Sequence, residues 1–286
     1  MIARGVQRSH AATEWAGGSV DMDPSQIVPV IPEDLDELML TFYRVPRAGA
    51  VRLSDGGGPF GFDIHAAIAI DFLVRAYSCD AIIETGCFVG DTTEYLARRY
   101  PDLPVMACDI NPSHAEFTRF RLATLPAVTV LTGDSAALLP DLLAHVHRPL
   151  VYLDAHWGTR WPLRGELAAM DHGIAVVDDF NIGHPRFAFD HYDGVECGPQ
   201  LVSETLPDLD ALYVTNPRPL LAAPCLQVGR RAGRAFIPRQ VDPGPLDASA
   251  LFTRVPLRPQ IRMPDWGTHP CREQIAAVPG VVTRQS

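Results

Sequence analysis

The chain predicts an α/β fold built on a doubly wound, mostly parallel sheet, and three observations carry that expectation. From Asp80 onward, short apolar runs alternate with segments of helical periodicity. Four of those runs end in an acid, at Glu84, Asp109, Asp154 and Asp178. The first run also turns through Gly86 and Gly90 into a helix starting near Asp91 or Thr92, a junction where bare backbone amides can meet a ligand.

In chain order, residues 1–62 read as an N-terminal arm and lid-like segment. Residues 1–30 are polar and aperiodic, 33–44 are helical, and 47–62 are glycine-rich, serving as a connector or a lid over a site. Helical spacing over 63–77 leads into the first strand. Strands are expected at 81–84, 105–109, 128–131, 149–153 and 174–178, with helices near 92–100, 113–124, 135–145 and 163–171. After a helix around 199–206, segments 211–215, 225–229 and 234–238 supply closing strands, the last two joined by a turn at 230–233. Residues 63–240 thus form the ligand-binding domain. The extension 241–286 is proline-rich and read as mostly irregular, wrapping the domain or joining a homo-oligomer contact together with the N-terminal arm.

Composition narrows the function. The 286 residues carry a formal net charge of −10 and are 47% hydrophobic, which suits a globular protein with a small-molecule partner and argues against nucleic acid. No apolar run approaches the roughly 20 residues of a membrane span, and the first residues lack the apolar core of a signal peptide, so a cytoplasmic, membrane-free location is expected. All 24 basic residues are arginine, which excludes a Schiff base, a Walker lysine and a lysine general base. The six cysteines show no C-x-x-C spacing, and Cys79, Cys87 and Cys108 fall in or beside apolar strands, where packing is their expected role.

The acids and glycines carry the chemistry. Glu84 stands where a carboxylate can meet a ribose or an amino group, and the helix start after Gly90 can receive the carboxylate of a bound amino acid. Asp109, followed by Ile-Asn-Pro, is placed to accept ribose hydroxyls, with helix capping as the simpler role. Asp134 and Ser135, after the third strand, can cap the next helix, a role compatible with ligand contact. Asp154, Asp178 and Asp179, at the ends of the fourth and fifth strands, can converge on one cation. Oxygen ligands without a cysteine or histidine set favour Mg²⁺, or Mn²⁺ or Ca²⁺, over zinc.

The pattern Glu84-x-Gly86-x-Phe88-x-Gly90-Asp91-Thr92 differs from the G-x-G-x-x-G of dinucleotide-binding chains. With Asp109-Ile-Asn-Pro, Thr132-Gly-Asp134-Ser135 and Leu153-Asp154-Ala-His156-Trp157, it resembles class I S-adenosylmethionine (SAM)-dependent methyltransferases. It is most similar there to catechol O-methyltransferase and the metal-dependent O-methyltransferases of sugar and macrolide biosynthesis. The resemblance spans about residues 80–195 and implies a Rossmann-like, seven-stranded sheet closed by an antiparallel hairpin. It implies SAM as cofactor, with Phe88 flanking its methionine part, Thr92 receiving its carboxylate and Asp134 or Ser135 contacting its adenine, and Mg²⁺ held by Asp154 and the Asp178-Asp179 pair. The family's lysine base is replaced by Gly158, and Ala155 is inserted before His-Trp, which puts a catechol acceptor in doubt and makes His156 the first candidate base, or a packing residue that orients Asp154.

The expected function is therefore O-methylation of a small molecule with vicinal oxygens, of the natural-product sugar or polyol type, with Asp154 and His156 as candidate catalytic residues. The alternatives are a metal-free or N- or C-directed methyltransferase, a SAM enzyme of another reaction, and a non-catalytic SAM-binding protein.

Overall fold

The computed structural model describes residues 32–48, 50–52, 56–155, 161–218, 221, 223–227 and 230–266. Five parallel strands are laid down first: β1 (Ala81–Thr85), β2 (Val105–Asp109), β3 (Val128–Thr132), β4 (Pro149–Leu153) and β5 (Gly173–Val177). The sheet grows outward from β1 in both directions, β2 and β3 on one side and β4 and β5 on the other. The strand order therefore reverses between β1 and β4, the position at which open α/β sheets leave a crevice beyond the carboxyl ends of their strands.

The near-continuous apolar character of these strands follows from burial on both faces. Ile82, Leu150, Tyr152, Ile174 and Val176 enter one core, and Ile83, Val151, Leu153, Ala175 and Val177 enter the other. Neighbours along a strand alternate between the two layers, as the two-residue period of a strand requires. The first layer is packed by α1 (Leu35–Arg44), α2 (Ile64–Ala76) and α3 (Asp91–Arg99). The second is packed by α5 (Ser135–Leu143), α6 (Leu163–Ala169) and α7 (Pro199–Thr205), while α4 (Pro112–Arg121) covers β2 and β3.

The far side of the sheet departs from expectation. It contains eight strands where seven are expected: β9 (Ala211–Thr215), β11 (Ala235–Arg239) and β12 (Phe252–Pro256) complete the order β12-β9-β11-β5-β4-β1-β2-β3. β11 inserts between β5 and β9, antiparallel to both, and β12 pairs antiparallel with β9. The segment expected as strand 225–229 forms no strand among its described residues, so there is no hairpin with 234–238. Instead β10 (Arg231–Ala232) pairs in parallel with β6 (Phe187–Ala188) beside the main sheet, and β7 (His191–Tyr192) pairs with β8 (Val195–Glu196). Residues 244–256 of the tail are also more ordered than expected: α8 (Gly244–Ala248) precedes β12, whose Phe252 and Val255 are buried. Pairing with β9 gives the backbone of 252–256 its hydrogen-bond partners, a tertiary gain that proline-rich composition hides. The arm 1–30 and Cys271 lie outside the described residues.

Gly233 sets how closely β11 enters. Its carbonyl accepts from the Phe180 amide (2.8 Å) and its own amide donates to the Ala188 carbonyl (3.1 Å). A Cβ at this position would lie 2.2 Å from the Phe180 carbonyl oxygen, a backbone atom that cannot swing away. Gly233→Ala is expected to destabilise the fold by about 1–3 kcal/mol, read as a lowered midpoint in thermal or urea denaturation.

Candidate active site

A cavity of about 1070 Å³ opens at the carboxyl ends of β1, β2, β4 and β5, at the point where the strand order reverses. Its floor begins at Glu84, Gly86 and Phe88. Gly86 (φ +76°) and Gly90 (φ +80°) both adopt left-handed backbone. A Cβ on Gly86 would sit 2.5 Å from the Asp154 carbonyl oxygen, and one on Gly90 would sit 2.7 Å from Thr118 Cγ2, so close packing as well as conformation demands glycine at both. Phe88 is also left-handed (φ +46°). Its amide donates to Asp109 Oδ2 (2.9 Å), and its half-exposed ring stands edge-on to His114 at the cavity wall.

Glu84 is fully buried, and its Oε2 accepts from Thr93 Oγ1 at 2.5 Å. Burial, with smaller contributions from the Asp91 and Asp109 carboxylates and against the Thr93 hydrogen bond, pushes its carboxyl up to about 7. Asp109 uses Oδ2 for the Phe88 amide and Oδ1 for the Asn111 amide (2.8 Å), which locks the carboxyl at the strand tip with lone pairs left for a ligand. Asp134 caps α5 through the Ala136 amide (3.1 Å), and both it and Ser135 line the cavity, so capping and ligand contact are compatible as expected. All eight residues expected to bind the cofactor (Glu84, Gly86, Phe88, Gly90, Thr92, Asp109, Asp134 and Ser135) lie in this cradle, and every one except Gly90 lines the cavity.

The glycine-rich segment forms the cavity's roof. Gly57, Gly58, Phe60 and Gly61 line it, and side chains at the start of α3 hold them in place. The Gly58 amide donates to Asp91 Oδ2 (2.6 Å) and the Phe60 amide to Thr92 Oγ1 (3.0 Å). Asp91 is itself held by Arg121 Nη1 (2.5 Å) and the Ala48 amide (3.3 Å). Thr92 thus accepts from the roof while its own hydroxyl proton stays available to a carboxylate acceptor. Asp91 is a residue the sequence reading missed; its signal, an acid at a helix start, is too common to be specific.

Asp154, Asp178 and Asp179 all line the same cavity. The Asp154 amide is anchored by the Thr85 carbonyl (3.2 Å), and Asp179 has left-handed backbone (φ +46°). These are the three acids expected to hold a metal. No group of three His, Cys, Asp or Glu side chains disposed to hold a metal ion occurs among the described residues. Asp178, moreover, already has a cationic partner: Arg234 Nε lies 2.8 Å from its Oδ1 and Nη2 lies 3.4 Å from its Oδ2, while Tyr152 Oη donates to Oδ2 at 2.5 Å. His156 and Trp157 lie outside the described residues. Trp161, the Gln227 side chain and Arg230 line the remaining wall.

No family model and no curated protein sequence matches the chain. Solved structures to which it is similar include the O-methyltransferase TomG from Streptomyces achromogenes, involved in tomaymycin synthesis and in complex with SAM. That protein is 20% identical over 75% of this chain and 93% of its own, with a TM-score of 0.42. An O-methyltransferase from Bacillus cereus in complex with SAH is 18% identical over 73% of this chain and 93% of its own, with a TM-score of 0.41. Likeness at this level identifies no activity.

Glu84 makes a measurable pH signature. Its folded value lies above the unfolded one, so the buried carboxyl destabilises the fold fully above about pH 7, progressively less as pH falls, and not at all below about pH 4.5. Glu84→Gln is therefore expected to raise stability by up to about 3 kcal/mol at pH 8 and to leave it unchanged near pH 4, measured by denaturation across that range.

Proposed function

We propose that the protein is a SAM-dependent O-methyltransferase acting on a hydroxyl-bearing small molecule. The observation that carries this reading is the charge of the cavity. Glu84, Asp91, Asp109, Asp134, Asp154, Asp178 and Asp179 line it, with Arg230 and His114 as the basic residues among the described lining; Arg121 offsets Asp91 and Arg234 offsets Asp178, and acids still outnumber bases. A diphosphate-bearing dinucleotide would meet repulsion there. A cofactor carrying a sulfonium and an ammonium, balanced by one carboxylate, has the opposite sign and suits it.

The residues divide the ligand among them. Asp109 is positioned for a ribose diol, Asp134 and Ser135 for the adenine, and Glu84 for the ammonium, while the Thr92 hydroxyl and the first amides of α3 suit the amino-acid carboxylate. This orientation directs the sulfonium methyl toward Asp154 and Asp179 at the ends of β4 and β5. The acceptor oxygen attacks the methyl carbon in line, the carbon–sulfur bond breaks, and neutral S-adenosylhomocysteine leaves. The hydroxyl proton passes to a cavity carboxylate, Asp154 or Asp179, and alignment of the two reactants supplies much of the acceleration. Adjacent carboxylates suit an acceptor with vicinal oxygens, such as a natural-product sugar or polyol.

Calorimetric titration with SAM is expected to show one-to-one binding to wild type that is about 10–100-fold weaker in Asp109→Ala, from the loss of charge-assisted hydrogen bonds. S-adenosylhomocysteine, lacking the sulfonium charge, should gain less from the acidic cavity and its binding should depend less on salt. Absence of SAM binding in the folded wild-type protein would overturn the reading. An acceptor screen with isotopically labelled methyl donor then identifies the methylated atom.

A further inference from the structure

The antiparallel register of β11 on β5 pairs Ala235 with Val177, so the preceding residue, Arg234, falls opposite Asp178. Arg234 is buried to 2% exposure. Its guanidinium meets both oxygens of Asp178, and it also reaches Asp63 Oδ2 (3.1 Å through Nη1) and the Phe60 carbonyl of the roof (3.2 Å through Nη2). Asp63, with no exposure, takes a second cation from Arg231 at 2.9 Å. Two carboxylates and two guanidinium groups thus form a neutral buried cluster beside the cavity, and its cations are attached to the chain.

From this geometry we infer that Arg234 takes the place of a divalent cation beside Asp178, so that methyl transfer in this cavity proceeds without a metal. The inference deepens the methyltransferase reading and rests on it for the reaction, although the ion-binding claim stands on the Arg234 pair alone. A metal on Asp178 would have to share its two oxygens with a guanidinium already in contact with both, and with the Tyr152 hydroxyl on one. It would also sit against a fixed positive charge that no solvent screens. Arg234 is a positioning residue: it sets the direction in which Asp178 faces the acceptor and ties that carboxylate to the roof through Phe60. The metal-dependent arrangement that the four motifs imply is thereby replaced by a permanent cation from just before β11, 56 residues further along the chain.

Mn²⁺ binding decides the question without a known acceptor. Full-length, chelator-treated protein is titrated to about 1 mM Mn²⁺, the weak end of biological divalent-cation sites, with free Mn²⁺ followed by electron paramagnetic resonance, with and without SAM. Wild type is expected to take up no stoichiometric Mn²⁺ in either state. Arg234→Gln should gain one site, lost again when Asp178→Asn is added, whereas Arg234→Lys should remain without one. One equivalent bound by wild type and lost in Asp178→Asn would overturn the inference, as would a folded Arg234→Gln protein that gains no site. If Arg234→Gln does not fold, the wild-type titration and Asp178→Asn still decide it. SAM calorimetry on the same samples separates the two claims: failure of SAM binding removes the methyltransferase reading while the Mn²⁺ result still judges Arg234.

Discussion

The buried cluster of Asp63, Arg231, Arg234 and Asp178 is the constraint on which the rest of the site depends. Asp63 caps α2 by accepting the His65 amide at Oδ1, while Oδ2 receives both arginines. Asp178 follows β5, Arg234 precedes β11, and Phe60 belongs to the roof. One guanidinium therefore fastens together a helix start, two strands and the segment that covers the cavity. Burying charges is unfavourable unless nearly every lone pair and proton finds a partner. Here the carboxylates are contacted by two guanidinium groups, a backbone amide and the Tyr152 hydroxyl, and that density of partners leaves few alternative arrangements for the roof.

Around this anchor the cavity divides by the type of group presented. The end nearest β1 and α3 offers backbone amides, hydroxyls and acids already engaged by hydrogen bonds, one at Glu84, two at Asp109 and three at Asp91, an arrangement that orients a ligand without moving protons. The end nearest β4 and β5 brings Asp154, Asp178 and Asp179 to the same cavity. Glu84 shows the cost of the first end: burial and two acidic neighbours push its carboxyl up to about 7.

Local patterns carried the parallel half of the fold and the glycine-and-acid floor of the cavity. Buried parallel strands leave unbroken apolar runs, and acids at strand tips, with glycines where the chain turns, read directly at Glu84, Gly86, Gly90, Asp109, Asp154 and Asp178. What stayed hidden depends on pairings between distant segments. The placement of β11 between β5 and β9, and so the meeting of Arg234 with Asp178, is set by packing of the whole sheet and leaves no local mark. For the same reason β12 was concealed within a proline-rich tail. The three acids did reach one cavity, and the arginine beside one of them, Arg234, arrives from just before a distant strand. The roof was legible as glycine-rich, and its fastening by Asp91 was not.

That fastening has a thermodynamic consequence. A glycine-rich segment that closed only over its ligand would lose its conformational freedom at the moment of binding, and the affinity would be reduced accordingly. Here Gly58 and Phe60 already have their hydrogen-bond partners on Asp91 and Thr92, so the ordering entropy of the roof is absorbed when the chain folds. Binding then starts from a preorganised enclosure, and the acids and amides of the cradle contribute to affinity without a deduction for loop closure.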